Sequence, residues 1–504
     1  MFWEVQDVVL EDIERVEVVS GPGGTAWGAN AVNGVINIIT RKSSDTQGAL
    51  ASAGAGTVER GAAVRYGGRL GEDATYRIYG KRFSRDNTVR ASGASAQDSW
   101  HKGQVGFRMD WGRTGDGFTL QGDAYDGSID QAVNSDKTVS GGNLLARWNR
   151  TLRDGASLQV QTYYDKTRRI HPGTFGEVLE TYDLDVQHRF HWGAGHDIVW
   201  GGGYRESRDQ ITNSAALAFI PARFNLKLAN VFVQDSIALA ERLQLTLGVK
   251  FEHNSFTGTE VQPTARLAWR LHDDALLWSS VSRAVRTPSR LDRDLVAPGN
   301  PPFTMLVANP NFKSEKLTAY ELGYRAQPSP DTSFSISTFY NVYDQLRSVE
   351  RVGAGPLPIV LGNNMEGHTY GAELWGSYRV YEWWRLSAGY NLLKEHLRFK
   401  PGSTDTATQN AGNDPAHQFS LRSTMNLRHN VEFDITLRSI AALPNPNVPG
   451  YVTADARLGW IIAKGVELSL TGVNLLGKRH PEFGTVATRS ELERAFYAKL
   501  LWNF

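Results

Sequence analysis

The sequence predicts an all-β fold, a large antiparallel transmembrane β-barrel of about 22 strands. Three observations carry this prediction. Apolar and polar residues alternate along many segments, short turns alternate with longer polar connections, and tryptophans gather near the short turns. The alternation defines the strands, the turns give their order, and the tryptophans place them in a bilayer.

Strict alternation is clearest in two segments. Between residues 243 and 252, apolar residues at odd positions interleave with polar or small residues at even positions, and residues 431–438 repeat the pattern. Successive side chains of a strand point to opposite faces, so each segment has one apolar and one polar face. We expect the apolar face to meet lipid and the polar face to line the interior.

Short and long connections alternate along the chain. Short turns lie near 71–74, 112–116, 152–156, 192–196, 239–242, 271–274, 328–331, 381–383, 428–430 and 462–465. Longer polar segments lie at 85–100, 127–142, 169–180, 209–224, 285–316, 347–366, 398–415, 442–450 and 477–489. Bacterial outer-membrane barrels have this layout, with short turns in the periplasm and long loops outside. A soluble β-sandwich is the alternative, but it has no reason to keep its long loops at one end.

Tryptophan positions support the same orientation. The indole ring prefers the membrane–water interface, where an apolar body meets a polar edge. Ordinary core tryptophans are the alternative, although a soluble core would not gather them at one end. The residues near the short turns are Trp111, Trp148, Trp192, Trp200, Trp269, Trp278, Trp383, Trp384, Trp460 and Trp502.

Composition excludes several classes of protein. The 504 residues carry a net charge of +1, so no overall field attracts nucleic acid. The chain has no cysteine, which excludes disulfides and Cys-ligated zinc or iron–sulfur sites. No apolar run approaches about 18 residues, so no transmembrane helix is expected. The N-terminus lacks the basic and apolar regions of a signal peptide.

The last strand ends in an aromatic residue. Phe496, Leu500, Trp502 and Phe504 fall on one face of this strand. A terminal phenylalanine after alternating apolar residues resembles the signal read by the barrel assembly machinery of the outer membrane. The resemblance implies that Phe496, Trp502 and Phe504 take part in assembly.

Residues 12–42 carry the most specific motif, DIERVEVVSGPGGTAWGANAVNGVINIITRK. This stretch resembles the end of the plug domain of TonB-dependent receptors, with Ser20 where arginine is common and Trp27 where tyrosine is usual. A phosphate-binding glycine loop is the rival interpretation, but no Gly-Lys-Ser/Thr follows and the spacing is not G-x-G-x-x-G. The motif positions are Arg15, Glu17, Gly21, Pro22, Gly28, Asn33, Gly34 and Asn37.

The resemblance divides the chain into the C-terminal part of a plug, residues 1–45, and a barrel, residues 46–504. Strand parity predicts that the side chains of two barrel glutamates, Glu321 and Glu373, point into the lumen at similar depth. In the family such glutamates pair with plug arginines, so the resemblance implies Arg15 as their partner. The alternative is that both are solvated residues of the lumen.

Only about 45 residues precede the barrel, so the TonB box, most of the plug and the signal peptide of a whole family member are absent. We expect the gene to begin upstream, in which case the ordinary receptor function applies. If the chain were entire, it would be a leaky pore or an inert fragment.

The resemblance implies a monomeric outer-membrane receptor that takes up a scarce nutrient, and the nutrient we expect is a ferric siderophore or similar metal chelate. Its partners would be the TonB complex, the barrel assembly machinery, outer-membrane lipid and lipopolysaccharide, and a small-molecule ligand. Candidate ligand-contacting residues in the loops are Trp100, His101, Arg168, Arg169, His171, Arg290, Arg293 and Phe303. Basic residues at loop ends could instead meet lipopolysaccharide or solvent.

Two other functions stay open. A passive porin-like channel is compatible with the shortened plug. A barrel-anchored enzyme is disfavoured, because no Ser/His/Asp arrangement stands out and Gly-x-Ser-x-Gly is absent. No histidine pair has metal-ligand spacing, so neither a bound metal nor a cofactor is expected.

Overall fold

The computed structural model describes residues 3–5, 7–113, 115–299, 305–407 and 413–504. Its helices are short: α1 (Gly24–Trp27), α2 (Arg290–Arg293) and four 3-10 turns, Trp3–Val5, Leu10–Asp12, Ser43–Thr46 and Arg153–Gly155. None of the helices in the described ranges is long and apolar enough to cross a membrane.

Strands make up most of the described chain. In chain order they are β1 (Ile13–Ser20), β2 (Gly34–Thr40), β3 (Gly48–Gly56), β4 (Glu59–Leu70), β5 (Ala74–Arg85), β6 (Val89–Arg90), β7 (Trp100–Arg113), β8 (Asp116–Ile129), β9 (Lys137–Thr151), β10 (Ser157–His171), β11 (Phe175–Trp192), β12 (His196–Thr212), β13 (Ala218–Phe219), β14 (Arg223–Ala240), β15 (Leu243–Asn254), β16 (Gly258–His272), β17 (Ala275–Arg286), β18 (Leu295–Val296), β19 (Leu306–Val307), β20 (Glu315–Ser329), β21 (Thr332–Arg351), β22 (Ile359–Tyr381), β23 (Trp384–Phe399), β24 (His417–Arg428), β25 (Val431–Ile440), β26 (Tyr451–Ala463), β27 (Val466–Val473), β28 (Arg479–Pro481), β29 (Ser490–Glu493) and β30 (Ala495–Asn503).

Twenty-two of these strands form a closed antiparallel barrel, which confirms the predicted fold class. Sequence neighbours pair around the ring, and β3 closes it by pairing with β30, for example Ala51 opposite Trp502. The short strands lie outside the ring or at its rim: β6, β28 and β29 form a three-stranded sheet of their own, and β13 pairs with β18. Closure leaves no unpaired sheet edge, which lipid could not solvate.

The barrel buries polar residues and exposes apolar ones. On β15 the inward-facing Lys250 and Glu252 are 6% and 2% exposed, whereas the outward-facing Leu247 and Phe251 are each 45% exposed. The outward side chains face the space that lipid would occupy, and the inward ones face other protein groups. The two-faced pattern read from residues 243–252 therefore has the predicted orientation.

The predicted loops at 127–142, 169–180 and 347–366 are mostly strand. Residues 169–180 were expected to form a long connection, but β10 and β11 continue to a tight hairpin at 172–174. Arg169 pairs with Glu177 across the two strands, with 2.6 Å between guanidinium and carboxylate. The polar composition reflects strands that extend beyond the bilayer, where water replaces lipid on their outer face.

The tryptophan belt is confirmed in most positions that can be checked. Trp200, Trp269, Trp460 and Trp502 are about half exposed on the outer face near the short turns. Trp278 is the exception, because it lines an interior cavity. It lies opposite Gly323 on β20, and its ring occupies the space that a side chain at Gly323 would need.

Arg290 joins the long loops above the barrel. Its guanidinium lies 2.8 Å from Asp209 and 2.8 Å from Asp294, and the residue is only 6% exposed. The rings of Phe219 and Phe224 lie 5.4 Å and 5.9 Å from it, within cation–π range. One side chain thereby links β12, α2 and the connection between β12 and β14.

Asp292 anchors the same loop to the barrel. Its carboxylate accepts hydrogen bonds from Arg286 at 2.9 Å and from the backbone and hydroxyl of Ser289, each at 2.9 Å. Burial would raise the pKa of Asp292, but the hydrogen bonds from Arg286 and Ser289 outweigh burial and hold that pKa below its usual value. The loop therefore favours the charged carboxylate.

A charge on the outer face should destabilise the barrel according to its depth. Leu247→Arg, near the middle of the apolar band, should lower the free energy of unfolding by about 2–4 kcal/mol in lipid vesicles. Leu243→Arg, beside the short turn, should cost about 0–1 kcal/mol. Urea titration of the refolded barrels measures both values, and equal costs would contradict the membrane orientation.

Removing the Asp292 charge should loosen the loop that holds α2. In Asp292→Asn, amide hydrogen exchange across 289–299 should accelerate about thirtyfold, equivalent to roughly 2 kcal/mol for a lost charged hydrogen-bond acceptor. In the wild type, the stabilisation should be complete at neutral pH and lost as the pH falls below about 4, because the folded loop favours the ionised form. Glu366→Gln, which alters an exposed pair with Arg398, is the control and should change nothing here.

Candidate functional site

The residues before β3 lie inside the barrel. We call residues 3–5 and 7–47 the luminal segment, and its centre is the antiparallel hairpin of β1 and β2, with Val16 opposite Ile38 and Val18 opposite Ile36. It contacts inward-facing residues of β4, β5, β7, β10, β16, β20 and β30, which are spread around the ring. A segment that meets so many strands divides the lumen.

Carboxylates near the start of the luminal segment pair with cations of the barrel wall. We call Glu4, Asp7, Glu11 and Asp12 the acidic strap. The pairs are Glu4 with Arg169 at 2.8 Å, Asp7 with Lys81 at 2.7 Å, Glu11 with Lys499, Asp12 with Arg65 at 2.5 Å, and Asp12 with Arg77 at 3.2 Å. The strap therefore crosses the lumen from β30 to β10.

Asp12 makes the most buried of these contacts. The side chains of Asp12, Arg65 and Arg77 are 3%, 7% and 5% exposed. Arg77 also donates to the carbonyl of Arg41 at 2.6 Å, where the chain leaves β2. Removing one member of a buried ion pair costs about 3–5 kcal/mol, because its partner stays buried without a counter-charge.

A second attachment lies on the far wall, at β15, β16 and β17. The Thr25 hydroxyl of α1 donates to the carbonyl of Gln262 at 2.8 Å. The Asn30 amide donates to the carbonyl of Val285 at 2.8 Å, and the Ala29 amide approaches Glu252 at 3.3 Å. The luminal segment is thus held at both sides of the barrel.

Two glycines of the motif allow this close approach. Gly21 and Gly28 have φ of +78° and +83°, a region that residues with a Cβ rarely adopt. A Cβ at Gly21 would lie 2.4 Å from a carboxylate oxygen of Glu321, and one at Gly28 would lie 2.7 Å from Glu252. These positions need glycine for backbone conformation and for space.

The predicted partner of the barrel glutamates was wrong. Arg15 lies on the exposed face of β1 and pairs with its neighbours Glu14 at 2.8 Å and Glu17 at 2.7 Å. The physical reason is reach: Glu14 and Glu17 are neighbours of Arg15 on β1, whereas Glu321 and Glu373 border Gly21 and Ser20, at the far end of the same strand. The ion pairs of the acidic strap have the reverse polarity, with the carboxylate on the segment and the arginine or lysine on the barrel.

Glu321 and Glu373 nevertheless both border the luminal segment. They line one cavity of about 590 Å³ together with Ser20 and Gly21. Glu321 accepts a hydrogen bond from Ser280 at 2.5 Å, and its carboxylate abuts Gly21. Ser20 interacts with Glu373. The serine that departs from the family pattern therefore lies beside Glu373.

The other motif positions act within the hairpin or at its edge. Asn37 donates to Glu17 at 3.0 Å across the two strands, and Gly34 is paired with Ser20 where the hairpin ends. The Tyr343 hydroxyl of the barrel lies 3.4 Å from the side-chain oxygen of Asn33. Pro22 lines the same cavity as the two glutamates.

A large cavity lies between the acidic strap and the long loops. We call this cavity of about 1090 Å³ the vestibule. The rings of Phe83 and Trp100 meet edge to face in its wall, with centroids 4.7 Å apart, and Tyr497 lines it opposite. Several of its cations are paired with carboxylates, for example Lys81 with Asp7 and Arg85 with Glu59, each at 2.7 Å. The wall also offers aromatic faces and carboxylate oxygens.

Three of the predicted loop residues face inward. Trp100 lines the vestibule. Arg169 is 3% exposed and pairs with Glu4 of the strap and with Glu177, so it holds the segment. His171 stacks on Phe175 with centroids 4.9 Å apart at the β10–β11 hairpin.

The remaining predicted residues lie elsewhere. Arg290 is committed to the loop contacts described above, and Arg293 donates to two backbone carbonyls and covers a phenylalanine ring at 4.5 Å. His101 and Arg168 are exposed on the outer face, by the alternation of β7 and β10. Phe303 lies outside the described residues. The structure therefore does not bring these candidates together.

Sequence reasoning missed Asp12, Arg65 and Arg77, the centre of the strap. A signal existed, since strand parity places Arg65 and Arg77 on inward faces and four carboxylates fall within the first twelve residues. Strand parity does not predict which inward-facing cation each carboxylate reaches. Across the described ranges, no group of three or more His, Asp or Glu residues could hold a metal ion.

Comparison with known proteins gives consistent matches. The family model described as TonB dependent receptor-like, beta-barrel matches residues 37–475. The ferric enterobactin receptor of Pseudomonas aeruginosa is 25% identical over 359 residues, 56% of this chain and 47% of that receptor. The iron-regulated outer membrane virulence protein of Vibrio cholerae is 24% identical over 441 residues, 78% of this chain and 64% of the relative. The chain thus spans about half to two thirds of the length of these relatives.

A solved structure shares the fold. The siderophore receptor PirA from Acinetobacter baumannii superposes with a TM-score of 0.81 at 16% identity, covering 98% of this chain and 85% of that one. At this identity the likeness shows the fold alone. Because the family match covers most of a closed 22-stranded barrel, the chain belongs to the TonB dependent receptor-like β-barrel family and is an outer-membrane protein of a Gram-negative bacterium.

Proposed function

We propose that this chain serves TonB-energised uptake of a ferric siderophore or similar metal chelate. The observation that carries the proposal is the luminal segment, which is held across the lumen beneath a vestibule open to the long-loop side. A permanent pore has no need of a buried anchor such as Asp12. The names of the relatives, a ferric enterobactin receptor among them, support an iron chelate as the ligand.

The proposed cycle needs no covalent chemistry. The chelate enters the vestibule and packs against Phe83, Trp100 and Tyr497, whose apolar rings suit an organic chelator. Residues 1–45 act as the C-terminal part of a plug and residues 46–504 as the barrel. The TonB complex then supplies the work that detaches the acidic strap, while the contacts at β15–β17 keep the segment attached to the opposite wall.

The proposal extends to the other partners. Phe496 faces outward near the start of β30 and Trp502 near its end, where the Phe504 ring lies 4.5 Å from that of Trp502, and all three are accessible to an assembly factor. We assign the three residues to recognition by the barrel assembly machinery. A closed ring with lipid on its outer face needs no second copy, so the protein acts as a monomer.

A passive channel is the second candidate. It is favoured by the open space on both sides of the luminal segment, about 1090 Å³ in the vestibule and about 590 Å³ beside Glu321. The two candidates differ in their need for energy. An importer requires TonB, whereas a channel passes small solutes down their gradient.

Uptake of labelled iron should separate the candidates. The gene is expressed with its native upstream sequence in a strain that lacks its own ferric siderophore receptors, and ferric enterobactin is the probe. Uptake should occur only with a working TonB complex. Trp100→Ala should weaken binding about tenfold by removing a large aromatic surface, whereas Trp200→Ala, on the outer face, should not. Equal entry of a small hydrophilic antibiotic with and without TonB would instead establish the channel.

Loss of the Asp12 anchor should make the barrel leak. In Asp12→Asn, Arg65 and Arg77 lose their shared counter-charge, and the expected cost of about 3–5 kcal/mol favours detachment of the strap. Conductance across a planar lipid bilayer should rise several-fold relative to the wild type. Glu14→Gln, which alters only an exposed pair with Arg15, should keep the wild-type conductance. Unchanged conductance in Asp12→Asn would show that the strap does not seal the lumen.

A further inference from the structure

Two histidines face each other on the outside of the barrel, away from the luminal segment and the vestibule. His368 on β22 and His396 on β23 are directly opposite in the strand register. Their ring centroids are 5.1 Å apart, and the ring planes are 35° from parallel. Among the strands that the structure describes, no other register pair joins two histidines. The proposed uptake cycle uses neither residue.

Strand parity places both side chains on the outer face. On β22, His368 has the same parity as Tyr370 and Leu374, which are 41% and 39% exposed. On β23, His396 is exposed and has the same parity as Lys394, which lies opposite Tyr370. Both imidazoles are therefore reached from outside the barrel.

The pair lies above the apolar part of the barrel wall. His368 lies thirteen residues before Tyr381, where β22 meets a short turn. At about 3.3 Å per residue and a tilt of about 40°, this is about 33 Å above the turn, beyond an apolar band about 25 Å tall. The imidazoles therefore meet water on the long-loop side, and a hydrated ion can reach them.

The separation of the two rings suits a shared metal ion. An ion about 2.0–2.1 Å from one nitrogen of an imidazole lies about 3.2 Å from the centre of that ring. With a tetrahedral angle at the ion, two such ring centres are about 5 Å apart, and the observed distance is 5.1 Å. Each ring can turn a nitrogen toward the ion by rotation about its Cβ–Cγ bond, whose axis passes close to the ring centre. Binding therefore requires no movement of the backbone.

Two tyrosines hold the imidazoles in place. Tyr340 on β21 stacks on His368 with ring centroids 5.5 Å apart, and Tyr370 stacks on His396 at 5.8 Å. These rings confine both imidazoles to one small area of the outer face. Less side-chain entropy is therefore lost when an ion fixes the two ligands.

The charges beside the pair do not block a cation. Glu366 on β22 and Arg398 on β23 lie opposite each other and form an ion pair with 2.8 Å between their charged atoms. Lys394 adds a positive charge, but its flexible side chain is exposed and can extend into water. The two imidazoles are thus free to act as neutral nitrogen ligands.

We propose that His368 and His396 bind one divalent transition-metal ion, Cu²⁺ in preference to Zn²⁺, with water in the remaining positions. Imidazole is a ligand for both ions, and the affinity of nitrogen sites for first-row divalent ions is highest for Cu²⁺. Mg²⁺ and Ca²⁺ prefer oxygen ligands and are excluded. The bound ion bridges β22 and β23 above the bilayer. Strand pairing creates the site, so the spacing of histidines along the sequence does not predict it.

Titration of the purified, detergent-solubilised chain with copper chloride tests the site. The protein carries no histidine tag, and its lack of cysteine removes thiolates as competing ligands. Calorimetry should show one Cu²⁺ per chain, and its electron paramagnetic resonance spectrum should show two nitrogen ligands. His396→Gln should lower the affinity about hundredfold, the upper end of what loss of an outer-shell partner costs, because it removes a ligand itself. His253→Gln, on the outer face of β15, is the matched control and should bind as the wild type does.

A gain of affinity provides a second test. Val342 on β21 lies opposite His368, so the row across three strands is Val342, His368 and His396. Val342→His should add a third imidazole and tighten Zn²⁺ binding about tenfold, the effect of one further ordered contact in a metal site.

Three results would overturn the proposal. One is unchanged Cu²⁺ affinity in a His396→Gln protein that still shows the heat-dependent gel mobility of a folded barrel. Another is an equal loss in His253→Gln, which would mean that single surface histidines bind the ion. The third is Mg²⁺ binding as tight as that of Cu²⁺. If His396→Gln does not fold, His368→Gln should show the same loss. The test uses neither an iron chelate nor TonB, so its outcome is independent of the proposed transport function.

Discussion

Closure of the backbone hydrogen-bond network is the constraint on which this structure depends. Lipid offers no donor or acceptor, so every outward-facing segment must pair with a neighbour, and the pairing of β3 with β30 completes the ring. Closure fixes two opposite environments for successive residues of each strand. Leu247 can face lipid only because Lys250 and Glu252 face protein, and those polar groups in turn need partners inside the lumen.

The luminal segment supplies many of those partners. Arg65 and Arg77 are almost fully buried, and a barrel this wide cannot satisfy them with side chains of its own wall alone. Asp12 gives both a counter-charge. On the far wall, the Gln262 carbonyl accepts a hydrogen bond from the Thr25 hydroxyl, and the Glu252 carboxylate accepts one from the Ala29 amide. The two attachments differ in chemistry, because one depends on ion pairs and the other on backbone hydrogen bonds and glycine contacts. Salt, pH and mechanical force should therefore weaken the two attachments to different extents.

The parts of this fold that could be predicted from sequence are those controlled by local periodicity. Strand faces, the short turns and the strand count follow from a period of two and from turn residues. Residues 169–180 were mistaken for a loop because strands above the bilayer have polar residues on both faces, as loops do. Trp278 was predicted to lie at the membrane interface. Strand parity, counted from Trp269 and its neighbours on the paired strands, instead places the Trp278 side chain on the inward face. The Arg15 pairing failed for another reason: a long-range ion pair depends on which of many inward charges reach each other, and no local pattern encodes that.

The small sheet of β6, β28 and β29 has a consequence for how such a protein changes over time. The barrel strands beside it are the shortest in the ring, nine residues in β3, eight in β27 and nine in β30, whereas β21 and β22 have 20 and 23. The rim of the vestibule at that point is therefore built from loop hydrogen bonds, such as Ser490 opposite Arg90, and not from the ring itself. Mutations that reshape this rim leave the closing pair of β3 and β30 intact. A lineage can thus alter the shape of the vestibule rim without losing the fold that keeps the protein in the membrane.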